Sequence, residues 1–221
     1  MWWPASRSWR RFASKSKILS KQFSRYGILF IVSAPSGAGK STLCDALRQT
    51  PDFVYSVSCT TRAPRAGEID GEDYHFISEA DFLARVAAGE FLEHAAVHGK
   101  YYGTLRDPIV GNLHKGVDVL IDIDTQGAAS IREYNDVFVR QALADVFIMP
   151  PDLEELRRRL TKRGTETSAQ IELRLQAAAR EMEHWRDYRY TIISRSVEED
   201  LLKFRQIMGA ERYLSSRMVL A

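Results

Sequence analysis

The stretch Ile28-Leu29-Phe30-Ile31-Val32-Ser33-Ala34-Pro35-Ser36-Gly37-Ala38-Gly39-Lys40-Ser41-Thr42 decides the fold. Ile28 to Val32 is an unbroken apolar run, rich in β-branched residues, as expected of a strand covered on both faces. Lys40 to Leu47 reads as a helix. The turn between them follows the pattern G-x4-G-K-[ST], with Gly39, Lys40 and Ser41 in place and Ala34 where the first Gly is expected. Ala is tolerated there if its φ is negative and its Cβ meets no phosphate. Gly37 and Gly39 let backbone N–H groups turn inward around phosphate oxygens. The helix N-terminus adds the positive end of its dipole. Lys40 supplies a point charge to the β- and γ-phosphates, and the Ser41 hydroxyl can coordinate Mg²⁺. Ala34, Pro35, Ser36, Gly37, Ala38, Gly39, Lys40, Ser41 and Thr42 therefore predict a nucleoside triphosphate site. A plain Gly-rich turn fits less well, because the flanking strand and helix are those the motif requires.

Outward from this loop, apolar strands are predicted at Phe53–Val57, Val117–Ile121, Val146–Met149 and Thr191–Ile193. Helical stretches separate several of them, which points to an α/β fold with a five-stranded parallel sheet between helical layers. Thr167 and Gln170 form a capping box before a stripe of Ile171, Leu175, Ala178, Met182 and Trp185. Ser196 and Glu199 start a helix carrying Leu201, Phe204 and Met208, and Ser78 starts another that Gly89 closes.

The chain has 221 residues, 45% hydrophobic and 27% charged, which suits one packed domain with small insertions. Cys44 and Cys59 lack a CxxC spacing, which excludes a disulfide scaffold. No apolar run reaches the ~18–20 residues of a membrane span. Residues 1–25 hold seven of the 31 Lys and Arg, no acid, and Trp2, Trp3 and Trp9. The rest carries 24 basic against 29 acidic residues, so the body is mildly acidic and general nucleic-acid binding through a basic face is not expected. The basic segment itself reads as a disordered extension or upstream start, a transit-like peptide, or a membrane-surface or RNA-contacting arm.

The next informative stretch runs from Ser56 to Ile77. Pro64 keeps it from continuing as helix, so Arg62 and Arg65 can approach one point from two sides of a loop. With Tyr74 they make a clamp for a dianionic phosphate. Taken alone, two arginines three apart favour a solvated charged hairpin. What lifts the reading is the pattern T-[ST]-R-x2-[KR]-x2-[DE]-x2-G-x2-Y-x-[FY]-[LIVMK], filled by Thr60, Thr61, Arg62, Arg65, Glu68, Gly71, Tyr74, Phe76 and Ile77. This resembles the signature of guanylate kinases. The similarity runs from about Ile28 to Met208.

The resemblance implies a P-loop NTPase three-layer fold with a GMP-binding insertion at 57–106 and a lid at 152–175, around a core of 26–56, 107–151 and 176–221. It implies that Arg62, Arg65, Tyr74 and Tyr102 hold the phosphate of GMP, and that Ser58, Glu93, Thr104 and Asp124 read guanine. A carboxylate at Glu93 can accept both the N1–H and the 2-amino group of guanine, whereas adenine has an unprotonated N1 there. Leu120-Ile121-Asp122-Ile123-Asp124 resembles the family's acidic motif, with Ser41 and Asp122 toward Mg²⁺. The run from Arg157 to Glu166 is similar to the lid, where Arg163 and Arg174 would meet the triphosphate. Lys40, Arg62, Arg163 and Arg174 are then the catalytic cations. The other basic residues of the run, Arg157 and Arg158 especially, are expected to face solvent. Ser194 stands where the family often has Asn, which leaves the adenine contact open.

The implied activity is ATP + GMP → ADP + GDP, with dGMP as a further acceptor, in the cytoplasm. The alternatives are a non-catalytic guanylate-kinase-like interaction module and another small-molecule kinase built on the same loop. Lys40 and Ser41 oppose the first; the complete signature and Glu93 oppose the second. Monomer and homo-oligomer both remain compatible with the sequence. His94 and His98 have a helical metal-ligand spacing, but the region reads as strand and turn.

Overall fold

The computed structural model describes residues 23–50, 52–97, 99–164 and 167–220, and the side chain of Arg163 falls outside that description. Most of the basic N-terminal segment, His98, and Thr165 and Glu166 of the expected lid lie outside it too. In chain order the elements begin with β1 (Phe23–Arg25), β2 (Leu29–Ser33), α1 (Lys40–Arg48), β3 (Val54–Tyr55), β4 (Cys59–Thr60) and β5 (His75–Phe76). There follow α2 (Glu79–Ala87), β6 (Phe91–Val97), β7 (Lys100–Leu105), α3 (Arg106–His114), β8 (Val119–Asp122), α4 (Thr125–Arg132) and α5 (Val137–Ala142). The last third holds β9 (Leu143–Met149), α6 (Leu153–Arg163), α7 (Ser168–Met182), β10 (Tyr190–Ile193), α8 (Val197–Arg212) and β11 (Met218–Leu220).

The central sheet is five-stranded and parallel, in the order β10-β9-β2-β8-β3. β2 lies in the middle, which explains its unbroken apolar run. Leu29 and Ile31 face one cluster with Ile109, Leu113, Ile121 and Phe147, while Phe30 and Val32 face another with Leu43, Leu47, Phe204 and Met208. Alternate side chains of a strand point to opposite faces, so a strand with helices above and below must be apolar at every position. The C-terminal ends of β2 and β8 then deliver the phosphate loop and Asp122 to one edge of the sheet, where ligands of open α/β sheets bind.

A second sheet, in the order β5-β4-β7-β6, is mixed and stands beside the first. Phe82 of α2 stacks between Phe91 and Tyr101, at centroid distances of 4.5 and 5.3 Å, and closes its small core. The Thr167–Gln170 capping box is formed, and Ser78 and Ser196 cap α2 and α8.

Several boundaries differ from the sequence reading. Phe23–Arg25, counted there with the basic extension, pairs antiparallel with β11, and the Arg25 guanidinium meets buried Asp118 at 2.6 Å. The helix bearing the 171–182 stripe ends at Met182; Trp185 sits in a following 3-10 turn, Glu183–Asp187, and is 41% exposed. The strand expected at 53–57 forms ladder pairs only at Val54 and Tyr55, because it is a sheet edge and turns away after two residues. His94 lies in β6, as the strand reading required.

Candidate active site

The phosphate loop joins β2 to α1. Gly37 and Gly39 take φ values of +88° and +106°, and Gly39 is the residue before the first helical turn. Side chains other than Gly resist this left-handed region. The turn closes through the Ala38 N–H, which donates to the Pro35 carbonyl at 3.0 Å. The Ser36 N–H donates to Glu181 Oε2 of α7 at 3.0 Å.

Lys40 Nζ lies 3.1 Å from Asp122 Oδ2 at the end of β8. Burial works against the ammonium charge, but Asp122, with Cys44 and Tyr74 adding to it, holds the Lys40 pKa above its ordinary value. The other Asp122 oxygen accepts from the Tyr55 hydroxyl. Burial, with Asp122 alongside, pushes that hydroxyl far above the usual phenol range, so it remains a donor. The Arg48 guanidinium covers the Tyr55 ring at 3.7 Å. Tyr55 was absent from the sequence reading; its alternation within a short edge strand carries no sign of a polar partner.

Below Lys40 opens a cavity of about 200 Å³, lined among others by Ser58, Tyr74, Glu93, Tyr102, Asp122 and Asp124. Glu93 is 8% exposed. Thr104 Oγ1 donates to Glu93 Oε1 at 2.6 Å, and Ser58 Oγ lies 3.2 Å from Thr104 Oγ1. A hydroxyl has one proton. Thr104 spends its proton on the carboxylate, so Ser58 donates to Thr104 and the chain runs Ser58 to Thr104 to Glu93. Burial pushes the Glu93 pKa up to about 7, against the Thr104 hydrogen bond and with Asp124 adding to the rise. Asp124 caps α4, accepting from the Gly127 N–H at 2.8 Å. A Cβ on Gly127 would stand 3.0 Å from Glu93 Oε2. Gly127 therefore lets the acid lie against the helix, a close approach that no sequence pattern revealed.

A second cavity, of about 280 Å³, shares Ser58, Tyr74, Tyr102 and Asp122 with the first and adds Ser41, Arg62 and Arg65. Arg62 is held by a two-pronged pair with Glu68, both contacts at 2.9 Å. Glu68 also accepts the Arg65 N–H at 2.7 Å. That makes Glu68, read above only as a signature position, the residue that shapes the arginine loop. Tyr74 and Tyr102 meet edge to face at 5.9 Å. Ten of the sequence-predicted residues thus converge: Lys40, Ser41, Ser58, Arg62, Arg65, Tyr74, Glu93, Tyr102, Asp122 and Asp124 line one or both cavities, with Thr104 hydrogen-bonded to Glu93.

The lid is less complete. Arg174 is exposed on α7, and the Arg163 side chain lies outside the described residues. Arg157 and Arg158 pair with Glu172 and Glu155 at the surface. Arg159, expected to face solvent with them, instead turns inward. It donates to the Ala38 carbonyl at 2.9 Å, to Ser194 Oγ and O, both at 3.0 Å, and to Glu155 at 2.7 Å. It ties α6 to the phosphate loop, and Ser194 is its anchor. Arg159 stands three residues after Leu156 and next to Leu160, both fully buried.

The family model described as Guanylate kinase matches residues 26–211. The chain belongs to the guanylate kinase family. It is 40% identical over 195 residues to a guanylate kinase of Clostridium perfringens, covering 87% of each chain. It is 46% identical over 190 residues to one from Maricaulis maris, covering 85% of each. Among solved structures, the crystal structure of guanylate kinase from Anaplasma phagocytophilum superposes with a TM-score of 0.74 at 37% identity, over 90% of this chain and 93% of that one. The guanylate kinase fold thus accounts for both sheets described above. Among the described residues no helix is long and apolar enough to cross a membrane.

Proposed function

We propose that this chain is an ATP:GMP phosphotransferase that converts GMP and dGMP to GDP and dGDP, serving purine nucleotide metabolism and GMP recycling in the cytoplasm. The observation that carries the reading is the buried Glu93 carboxyl, facing a purine-sized cavity that opens on Lys40. A non-catalytic interaction module would have no use for a phosphate loop that keeps Gly39, Lys40 and Ser41 beside a buried acid.

In this assignment 57–106 is the acceptor part and 152–175 the lid. A GMP phosphate oxygen bonds to the γ-phosphorus of ATP as the bond from that phosphorus to the β,γ-bridging oxygen breaks, and ADP leaves. The acceptor phosphate is already largely ionised at neutral pH, with a second pKa near ~6, so little general-base work is needed. The task is to bring two polyanions into line. Lys40, Arg62 and Arg65 supply positive charge around the transferring group, with Arg163 and Arg174 closing from the lid. Tyr74 and Tyr102 hydroxyls complete the acceptor phosphate site. Closure keeps water from taking the phosphoryl group.

The Ser41 hydroxyl and Asp122 carboxylate are hard oxygen donors beside the phosphate loop, and this sparse set suits Mg²⁺, which keeps several waters and takes phosphate oxygens as ligands. When bound, the ion neutralises charge on the β- and γ-phosphates. Tyr55 and Lys40 orient Asp122 for that duty.

A coupled ADP-release assay with GMP, AMP, dTMP and UMP tests the assignment. Turnover with GMP far above the others is expected; no turnover with any of the four would leave only the interaction module. A second expected outcome concerns Gly127→Ala. The added methyl group displaces Glu93 by a few tenths of an ångström, and the KM for GMP should rise about tenfold with a smaller change in kcat. An unchanged KM would mean that Glu93 does not touch the base.

A further inference from the structure

The cavity of about 280 Å³ that holds Arg62 and Arg65 has a second wall, made by α1. Ser41, Asp45 and Arg48 line it, and their i, i+4, i+7 spacing puts them on one face of the helix. Leu43 and Leu47 take the opposite side, into the core. Arg48 ends the polar face. It is exposed, and its guanidinium lies 3.7 Å over the Tyr55 ring. A guanidinium stacked on a ring keeps N–H donors at its rim, where an anion can meet them. Among the described residues Arg48 forms no ion pair and donates no hydrogen bond to a carboxylate. The clamp is less free. Arg62 is matched by its two-pronged pair with Glu68. Asp45, Asp73 and Asp122 add carboxylates to the same walls. Three arginines thus face four carboxylates, a balance that suits a phosphate dianion only if every cation is used.

We infer that Arg48 is a third arginine of the acceptor phosphate site: its guanidinium, held on Tyr55, donates to the phosphate oxygens of a nucleoside monophosphate. Arg62 and Arg65 reach that phosphate from the loop, and Arg48 reaches it from the helix that follows the phosphate loop. The anion is then gripped between the two walls rather than held by one of them. This inference rests on the acceptor reading above. Arg48 also stands in the last turn of α1, where a purely structural arginine would serve the helix dipole and cover Tyr55. That role predicts no difference between ligands with and without a phosphate.

The test uses the full chain and compares GMP with guanosine, which keeps the base and sugar but has no phosphate. In Arg48→Gln the KM for GMP should rise about tenfold, the worth of one hydrogen bond to a charged group. The KM for ATP should hold within about twofold, and so should the inhibition constant of guanosine competing with GMP. Arg48→Lys keeps the charge but loses the planar fork, so it should fall between, with a rise of about threefold for GMP alone. An unchanged KM for GMP in Arg48→Gln, or GMP and guanosine weakened alike, would overturn the inference. Should that variant fail to fold, Arg48→Lys decides by the same comparison, and no rise for GMP overturns it. Absence of GMP-dependent ADP release from the wild-type protein would count against the phosphotransfer reading, a separate failure. Calorimetry of GMP and guanosine binding would then carry the comparison without turnover.

Discussion

Lys40→Met should lower kcat by about 10²–10³-fold, the usual loss when one fixed charge facing the reacting oxygens is removed from a water-poor site. The KM for GMP should change little, because in the proposed assignment the acceptor lies against Arg62, Arg65, Tyr74 and Glu93 of the 57–106 segment, which line the cavities beside Lys40. That split separates a group acting on the transferring phosphoryl from one that merely binds substrate. The free protein should remain folded. The Lys40–Asp122 pair is about a quarter exposed on each side, so losing it costs little stability, and the Tyr55 hydroxyl still holds Asp122. Steady-state kinetics with a thermal melt of the same sample checks both halves. Near-normal turnover would remove Lys40, and with it the phosphate loop, from the chemistry.

How much of this was legible in advance follows a physical division. β2, the loop and α1 declare themselves locally: the strand by its doubly apolar run, the loop by glycines that alone tolerate its φ values, the helix by its apolar spacing. The caps at Ser78, Thr167 and Ser196 are likewise local. Glu93, by contrast, looks like any surface acid until β6 and β7 pair and set Thr104 against it. Arg159 is one of three consecutive arginines, and only the packing of Leu156 and Leu160 over the phosphate loop turns it inward while Arg157 and Arg158 stay in water. Gly127 and Glu181 act through contacts with residues 34 and 145 positions away, which no window of sequence contains. The helix α3 was not foreseen, since Pro108 in its first turn breaks the apolar spacing on which the reading relied.

Glu93→Gln should have two effects of opposite sign, and both come from burying a carboxylate in the cavity proposed to take the base. The first is on recognition. The amide keeps an acceptor for guanine but replaces the second with a donor, so kcat/KM for GMP should fall by roughly 10- to 100-fold. Its N–H can meet the unprotonated N1 of adenine, so the margin of GMP over AMP should narrow by more than that. The second effect is on the free protein. The Glu93 pKa stands at about 7 in the fold against an ordinary 4.5, so the fold favours the neutral acid. Its stabilising contribution is fully present below about 4.5 and is lost as pH rises through about 7. Glu93→Gln, neutral throughout, should therefore melt at a higher temperature than the wild type at pH 8, with the difference closing toward pH 5. The same titration ties the effects together: guanine needs the ionised acid, so the wild-type KM for GMP should improve between pH 6 and 8. In Glu93→Gln only the part due to the GMP phosphate should remain. A variant that melts lower than the wild type at pH 8, with discrimination unchanged, would mean that the acid is a structural hydrogen-bond partner of Thr104 and that the purine is read by other groups.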